Sequence, residues 1–162
     1  FNVQSGRRLT RVTEWLDETQ QRHWRAWLSA STLLSDRLNR DLVATTGLTL
    51  ADYEILVRLS DAPERTIRMS DLAGLTLSSR SRLTHQIDRM EQAGLVERKA
   101  CAYDKRGQNC SMTAQGWKTL VAAAPSHVDS VRRHLVDLLS DAEFAALGKA
   151  AGKVAAHLEA LD

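Results

Sequence analysis

Apolar positions recur at alternating spacings of three and four along both ends of the chain. Near the start, Trp24, Trp27, Ser31, Leu34 and Leu38 form one stripe. They sit in a segment from about Leu9 to Thr46 that holds neither glycine nor proline, so the spacing predicts one long helix. Gly47 supplies its C-cap. Near the end, Val121, Ala124, Val128, Val131, Leu135 and Leu138 repeat the same spacing, with Pro125 inside, where a kink is expected. Ser140 and Glu143 then read as a capping box. They open a last helix striped by Phe144, Leu147, Ala151, Val154, Leu158 and Leu161.

The middle of the chain changes period. Thr49 and Asp52 open a helix, "TLADYEILVRLSD", as a capping box with Asp in place of Glu, and Pro63 ends it. "TIRM" is a short β-leaning run. Ser70 is placed to cap a brief helix, "SDLAGL", and "TLSSRSRLTHQIDRMEQAG" follows as another helix ending at Gly94. "LVERKACAY" and "QNCSM" read as the strands of a hairpin, and Thr113 caps the helix that starts "AQGWKTL". Helix, short helix, turn, helix and hairpin make a winged helix-turn-helix. The fold class is therefore mainly α with a small β-hairpin wing. Three regions follow: an N-terminal helix over 7–46, the winged unit over 47–113 and C-terminal helices over 114–162. The apolar seams at the two ends either close an intramolecular bundle or pair with a second copy of the chain. The second reading is favoured because the middle already forms a closed unit.

On a helical wheel, Thr76, Ser79, Leu83, Ile87 and Met90 gather on one side of the "SSRSRLTHQIDRM" helix and are expected to pack inward. Ser78, Ser81, Arg82, His85 and Arg89 fall opposite, with Arg80 and Gln86 at the flanks. Hydroxyl, guanidinium and imidazole groups donate to phosphate oxygens and to acceptors on base edges. A charged helix face is otherwise an ordinary solvated surface. The basic tip of the neighbouring hairpin shifts the reading toward DNA. Charge agrees: from Arg68 to Arg106 eight bases and five acids leave a net +3, although the whole chain is only +2.

Other chemistry is sparse. With 43% hydrophobic and 26% charged residues in 162, the composition suits a core-forming domain. No apolar run approaches a membrane span, and "FNVQSGRR" lacks the apolar stretch of a signal peptide. Phosphate-loop, nucleophile-elbow and zinc-protease motifs are missing, and His23, His85, His127, His134 and His157 are scattered. Neither an enzyme, nor a cofactor, nor a metal site is expected. Two cysteines, Cys101 and Cys110, build no disulfide framework, which points to a reducing, cytoplasmic setting. A hairpin turn centred between Lys105 and Arg106 would set them opposite each other, where oxidation could stiffen the wing.

The segments "RMSDLAGL", "SSRSRLTHQIDRMEQAGLVERK" and "YDKRGQNCSMTAQG" resemble the MarR family of bacterial transcriptional regulators. The resemblance implies a homodimer paired through the chain ends, with a recognition helix in each major groove of a pseudo-palindromic double-stranded site and a wing in the adjacent minor groove. By position it assigns Ser78, Ser79, Arg80, Ser81 and Arg82 to the start of the recognition helix. Arg82 and His85 stand where members differ. Asp104, Lys105 and Arg106 fall at the wing tip. It also implies a repressor released by a small aromatic or phenolic effector, with His23, Trp24, Trp27 and Tyr53 as lining residues, although helix packing explains the same side chains. The alternatives are a winged-helix protein–protein adaptor and a redox sensor using Cys101 and Cys110.

Overall fold

A computed structural model describes residues 13–76, 79–100 and 107–161. The chain divides into two compact units, 1–33 and 34–162. Helix α1 covers Glu18–Thr46. It starts well after Leu9 because Asp17 and Gln20 cap it reciprocally: the Gln20 N–H donates to Asp17 Oδ1 at 2.8 Å, and the Asp17 N–H donates to Gln20 Oε1 at 3.0 Å. Residues 13–17 are not helical. At the other end Gly47, with φ of 76°, closes the helix as the glycine predicts.

Helix α2 (Leu50–Asp61) carries the complete Thr49–Asp52 capping box and buries Ile55, Leu56 and Leu59. A short 3-10 turn, Pro63–Arg65, leads into strand β1 (Thr66–Arg68). Glu64 and Arg65 adopt positive φ there, and the Arg65 guanidinium lies 3.9 Å from the ring centre of Trp117, which braces the strained turn. Helix α3 (Met69–Leu75) follows β1 directly, so its cap is Arg68 and not Ser70. The Ser70 hydroxyl, one residue inside the helix, bonds Asp71 Oδ1 instead.

The next helix is shorter than its pattern. α4 spans Arg80–Gln92, with Ser79 as N-cap accepting the Arg82 N–H. Thr76, assigned by periodicity to the inner face of this helix, belongs to the end of α3, where its N–H and hydroxyl both bond the Leu72 carbonyl. Ser79 is likewise exposed at the cap and not packed inward. A hydroxyl that can close a helix end competes with helix continuation, and here it wins. Gly94, with φ of 71°, ends the segment as expected.

Strands β2 (Val96–Ala100) and β3 (Gln108–Met112) form the hairpin, and β1 joins the outer side of β3, giving antiparallel order β1-β3-β2. The register differs from a turn centred at Lys105 and Arg106. Val96 faces Met112, Arg98 faces Cys110 and the ladder ends at Ala100 opposite Gln108. Cys110 therefore lies across from Arg98 and not from Cys101. Side-chain direction decides this. The observed pairing places buried Val96 and Met112 together, whereas the other register would set charged Lys99 against Met112.

Helix α5 (Ala114–His134) runs unbroken through Pro125. Its buried side is Gly116, Leu120, Ala123 and Ser130; Val121 and Val128, on the apolar stripe, stand half exposed in the single chain. Leu135 and Leu138 fall beyond the helix, in and beside a 3-10 turn at Val136–Leu138. Ser130 is satisfied by Asp41 of α1, whose Oδ2 accepts from its hydroxyl at 2.7 Å and lies 3.2 Å from His134 Nε2. Helix α6 (Asp141–Glu159) has the Ser140–Glu143 capping box and buries none of its residues.

Thr113 joins the wing to α5. Its Oγ1 accepts the Gly116 N–H at 2.9 Å and donates to the Gly94 carbonyl at 2.6 Å. Gly116 packs so closely on this turn that a Cβ would collide with the Leu95 carbonyl. Gly116→Ala should therefore lower unfolding stability by about 1–3 kcal/mol, despite the better helix propensity of alanine. Urea denaturation checks this, and a stabilised variant would contradict the packing.

Candidate nucleic-acid interface

The inner side of α4 is fixed by Leu83, Ile87 and Met90, each at most 1% exposed. The opposite side is bare: Arg80, Ser81, Arg82, His85 and Arg89 are all exposed, as is the cap residue Ser79. Arg80 and Arg82 make no ion pair with a described residue. Ser81, Arg82, His85, Gln86 and Arg89 line an open groove of about 590 Å³ that also touches Ala51 at the start of α2. The structure thus gathers the predicted recognition residues Ser79, Arg80, Ser81, Arg82 and His85 at one end and one side of a helix. Ser78 lies outside the described residues.

Beneath the groove is Asp52, 5% exposed. Its Oδ2 accepts the Thr49 hydroxyl at 2.6 Å, and its Oδ1 accepts Gln86 Nε2 at 3.2 Å and Arg89 Nη2 at 2.8 Å. Burial raises the carboxyl, but the Thr49, Arg89 and Gln86 donors outweigh it and hold the group below the ordinary carboxylate range. The cap of α2 is therefore also a tether for α4.

A second carboxylate ties α4 to the wing. Glu91 Oε1 accepts the Arg98 backbone N–H at 2.8 Å, and Oε2 accepts Arg98 Nε and Nη2 at 3.0 and 2.6 Å. Asp88 Oδ1 adds a contact at 2.5 Å to Nη2. These bonds keep the Glu91 carboxyl low and the Arg98 guanidinium high. On the same flank a cavity of about 340 Å³ lies among Arg68, Arg80, Thr84, Arg98 and Gln108.

Asp104, Lys105 and Arg106, predicted for the wing tip, and Cys101 lie outside the described residues. Cys110 is fully buried, and that burial pushes its thiol up to about 12. Tyr53 is buried with its ring centre 4.5 Å from that of His127, whose Nδ1 has no described hydrogen-bond partner and whose burial lowers its proton affinity. His23, Trp24 and Trp27 are exposed along α1.

A family model described as the MarR family matches residues 46–107, the span from α2 to the wing. The crystal structure of AbsC, a MarR family transcriptional regulator from Streptomyces coelicolor, is similar at 47% identity, with a TM-score of 0.84 over 91% of this chain and 99% of that one. The chain belongs to the MarR family. Its members are DNA-binding transcriptional regulators and not enzymes. Sco3205 from the same organism, solved in complex with DNA, is similar at 39% identity, with a TM-score of 0.84 over 88% of this chain and 90% of that one. Transcriptional regulator HosA of Escherichia coli shares 35% identity over 96 residues, covering 59% of this chain and 69% of HosA. No described helix of this MarR-family chain is long and apolar enough to cross a membrane.

Pattern reading missed Asp52 as a tether and the Glu91–Arg98 lock. The first carried a signal: a capping Asp is short, and its second oxygen has to find other donors once buried. The second crosses a turn and needs the strand register. For Cys110, the structure predicts inertness. With iodoacetamide at pH 8, it should stay unmodified in the folded protein over a time that fully labels the urea-unfolded chain. Peptide mapping reads this, and labelling of Cys110 in the fold would revive a redox role.

Proposed function

We propose that this regulator is a homodimeric, sequence-specific binder of double-stranded DNA that acts as a repressor in the cytoplasm. The observation carrying this is α4: Leu83, Ile87 and Met90 seal one side in the core while Ser81, Arg82 and His85 stand free on the other. A rigid helix with donors on its exposed N-terminal half is what major-groove reading requires. Residues 47–113 read DNA, with Asp104, Lys105 and Arg106 serving the minor groove. Residues 7–46 and 114–162 pair the two copies. Dimerisation is supported by apolar side chains left uncovered in one chain: Val154 is 60% exposed, Leu158 54% and Leu161 68% on α6, with Val121 and Val128 on α5. The dimer would present its helices about 34–36 Å apart, one DNA turn. Release by a small aromatic or phenolic effector completes the reading.

Binding should weaken linearly in log–log salt titrations, since phosphate contacts dominate it. Arg82→Ala should reorder the preference among duplex variants selected from a random pool. Arg106→Ala should instead weaken all of them, by about 1–3 kcal/mol if it enters a narrow minor groove. Fluorescence anisotropy measures both. Salt-independent binding, or none, would favour a protein–protein adaptor. An unchanged ranking with Arg82→Ala would remove that residue from base reading.

A further inference from the structure

The apolar side of α4 alone does not define the helix's rotation. Leu83, Ile87 and Met90 hold it down, but burial is non-directional and tolerates a small roll about the helix axis. Hydrogen bonds do not. Arg82, His85, Gln86 and Arg89 fall at i, i+3, i+4 and i+7, a single stripe two turns long. The last two members of that stripe both donate to one oxygen of Asp52. The other oxygen is held by the Thr49 hydroxyl at 2.6 Å and its N–H at 3.3 Å. Thr49 and Asp52 in turn open a helix whose Ile55, Leu56 and Leu59 are at most 1% exposed. A continuous set of directed contacts therefore runs from the core, through the start of α2, to the stripe that ends in Arg82 and His85.

We propose that Asp52, which lies outside the recognition helix, is a positioning residue for base reading: through Gln86 and Arg89 it sets the angle at which Arg82 and His85 meet the base edges. Its side chain is 8% exposed, so it touches no DNA itself, whereas Arg89 at 60% has guanidinium edges left for a phosphate. The tether acts on discrimination between sequences. Total phosphate contact, and with it non-specific affinity, rests mainly on bases other than Arg89, such as Arg80, that Asp52 does not hold in place.

The inference rests on the DNA-binding reading, and the experiment separates the two. The probes are a duplex selected from a random pool by the wild-type protein and a scrambled duplex of equal composition, with the ratio of their affinities as the readout. Asp52→Ala should lower that ratio about tenfold, the weight of one base contact. The scrambled-duplex affinity and its salt slope should hold. Asp52→Asn keeps an acceptor for Gln86 and Arg89 without the charge, and should fall between wild type and Asp52→Ala. Thr49→Val removes the cap hydroxyl but keeps the Thr49 N–H on Oδ2 and both α4 donors on Oδ1, which suffice to aim the carboxylate, so it should lower the melting temperature but keep the ratio. If Asp52→Ala does not fold, a ratio reduced by Asp52→Asn and kept by Thr49→Val carries the same conclusion. An unchanged ratio in the Asp52 variants overturns the proposal. So does a ratio that follows melting temperature across all three variants, which would make Asp52 merely structural. Equal tightening on both duplexes would make it a simple repulsive charge. A wild-type protein that selects no duplex removes the DNA-binding reading and this inference together.

Discussion

The constraint on which this structure depends is that a helix of 13 residues has to be fully buried on one side and bare on the other. Apolar contact provides most of the holding force and little of the direction. Leu83, Ile87 and Met90 sit against a core built from α2, the sheet and α5. Direction comes from two carboxylates at the margins: Asp52 reaches α4 from α2, and Glu91 reaches from α4 to the wing strand. One fixes the helix against the body of the fold. The other fixes the wing against the helix. Both are fully engaged with donors, so their charges are compensated within the protein.

That compensation changes how the local charge is to be read. The segment from Arg68 to Arg106 carries a net +3, but its bases are unequal. Arg89 and Arg98 are ion-paired and serve the architecture, and Lys99 is paired with Glu97. Arg80 and Arg82, near the cap of α4, are exposed and have no described acidic partner. Among the described residues, the positive charge at the N-terminus of α4 is thus not offset by an ion pair, and the backbone N–H groups there add to it. A net charge does not distinguish the bases held in ion pairs from those that face solvent.

Much of this was legible in the sequence because it is local. The capping boxes at Thr49–Asp52 and Ser140–Glu143, the glycine ends at Gly47 and Gly94, and the Leu83–Ile87–Met90 side of α4 all depend on spacings within a few residues. What escaped is non-local. The hairpin register depends on which strand face meets the core, and a symmetric turn around Lys105 and Arg106 carries no information about that. The apolar stripe of α5 is real but does not coincide with its buried side, because Gly116, Ala123 and Ser130 are small or polar and add little to a hydrophobic pattern. Gly116 and Ser130 are buried because close approach to Leu95 and the Asp41 carboxylate demands a small and a donating group, respectively. The start of α1 was displaced for a simpler reason: Asp17 and Gln20 form a cap that the absence of glycine and proline concealed.

In the proposed function, α4 of this MarR-family chain reads base edges in the major groove. Methylation interference on a duplex selected by the wild-type protein tests it most directly, because a methyl group on guanine N7 blocks the major groove and leaves the backbone intact. Two clusters of interfering guanines are expected about 10–10.5 base pairs apart, one for each recognition helix. Tight binding that is indifferent to N7 methylation throughout the selected site would contradict it.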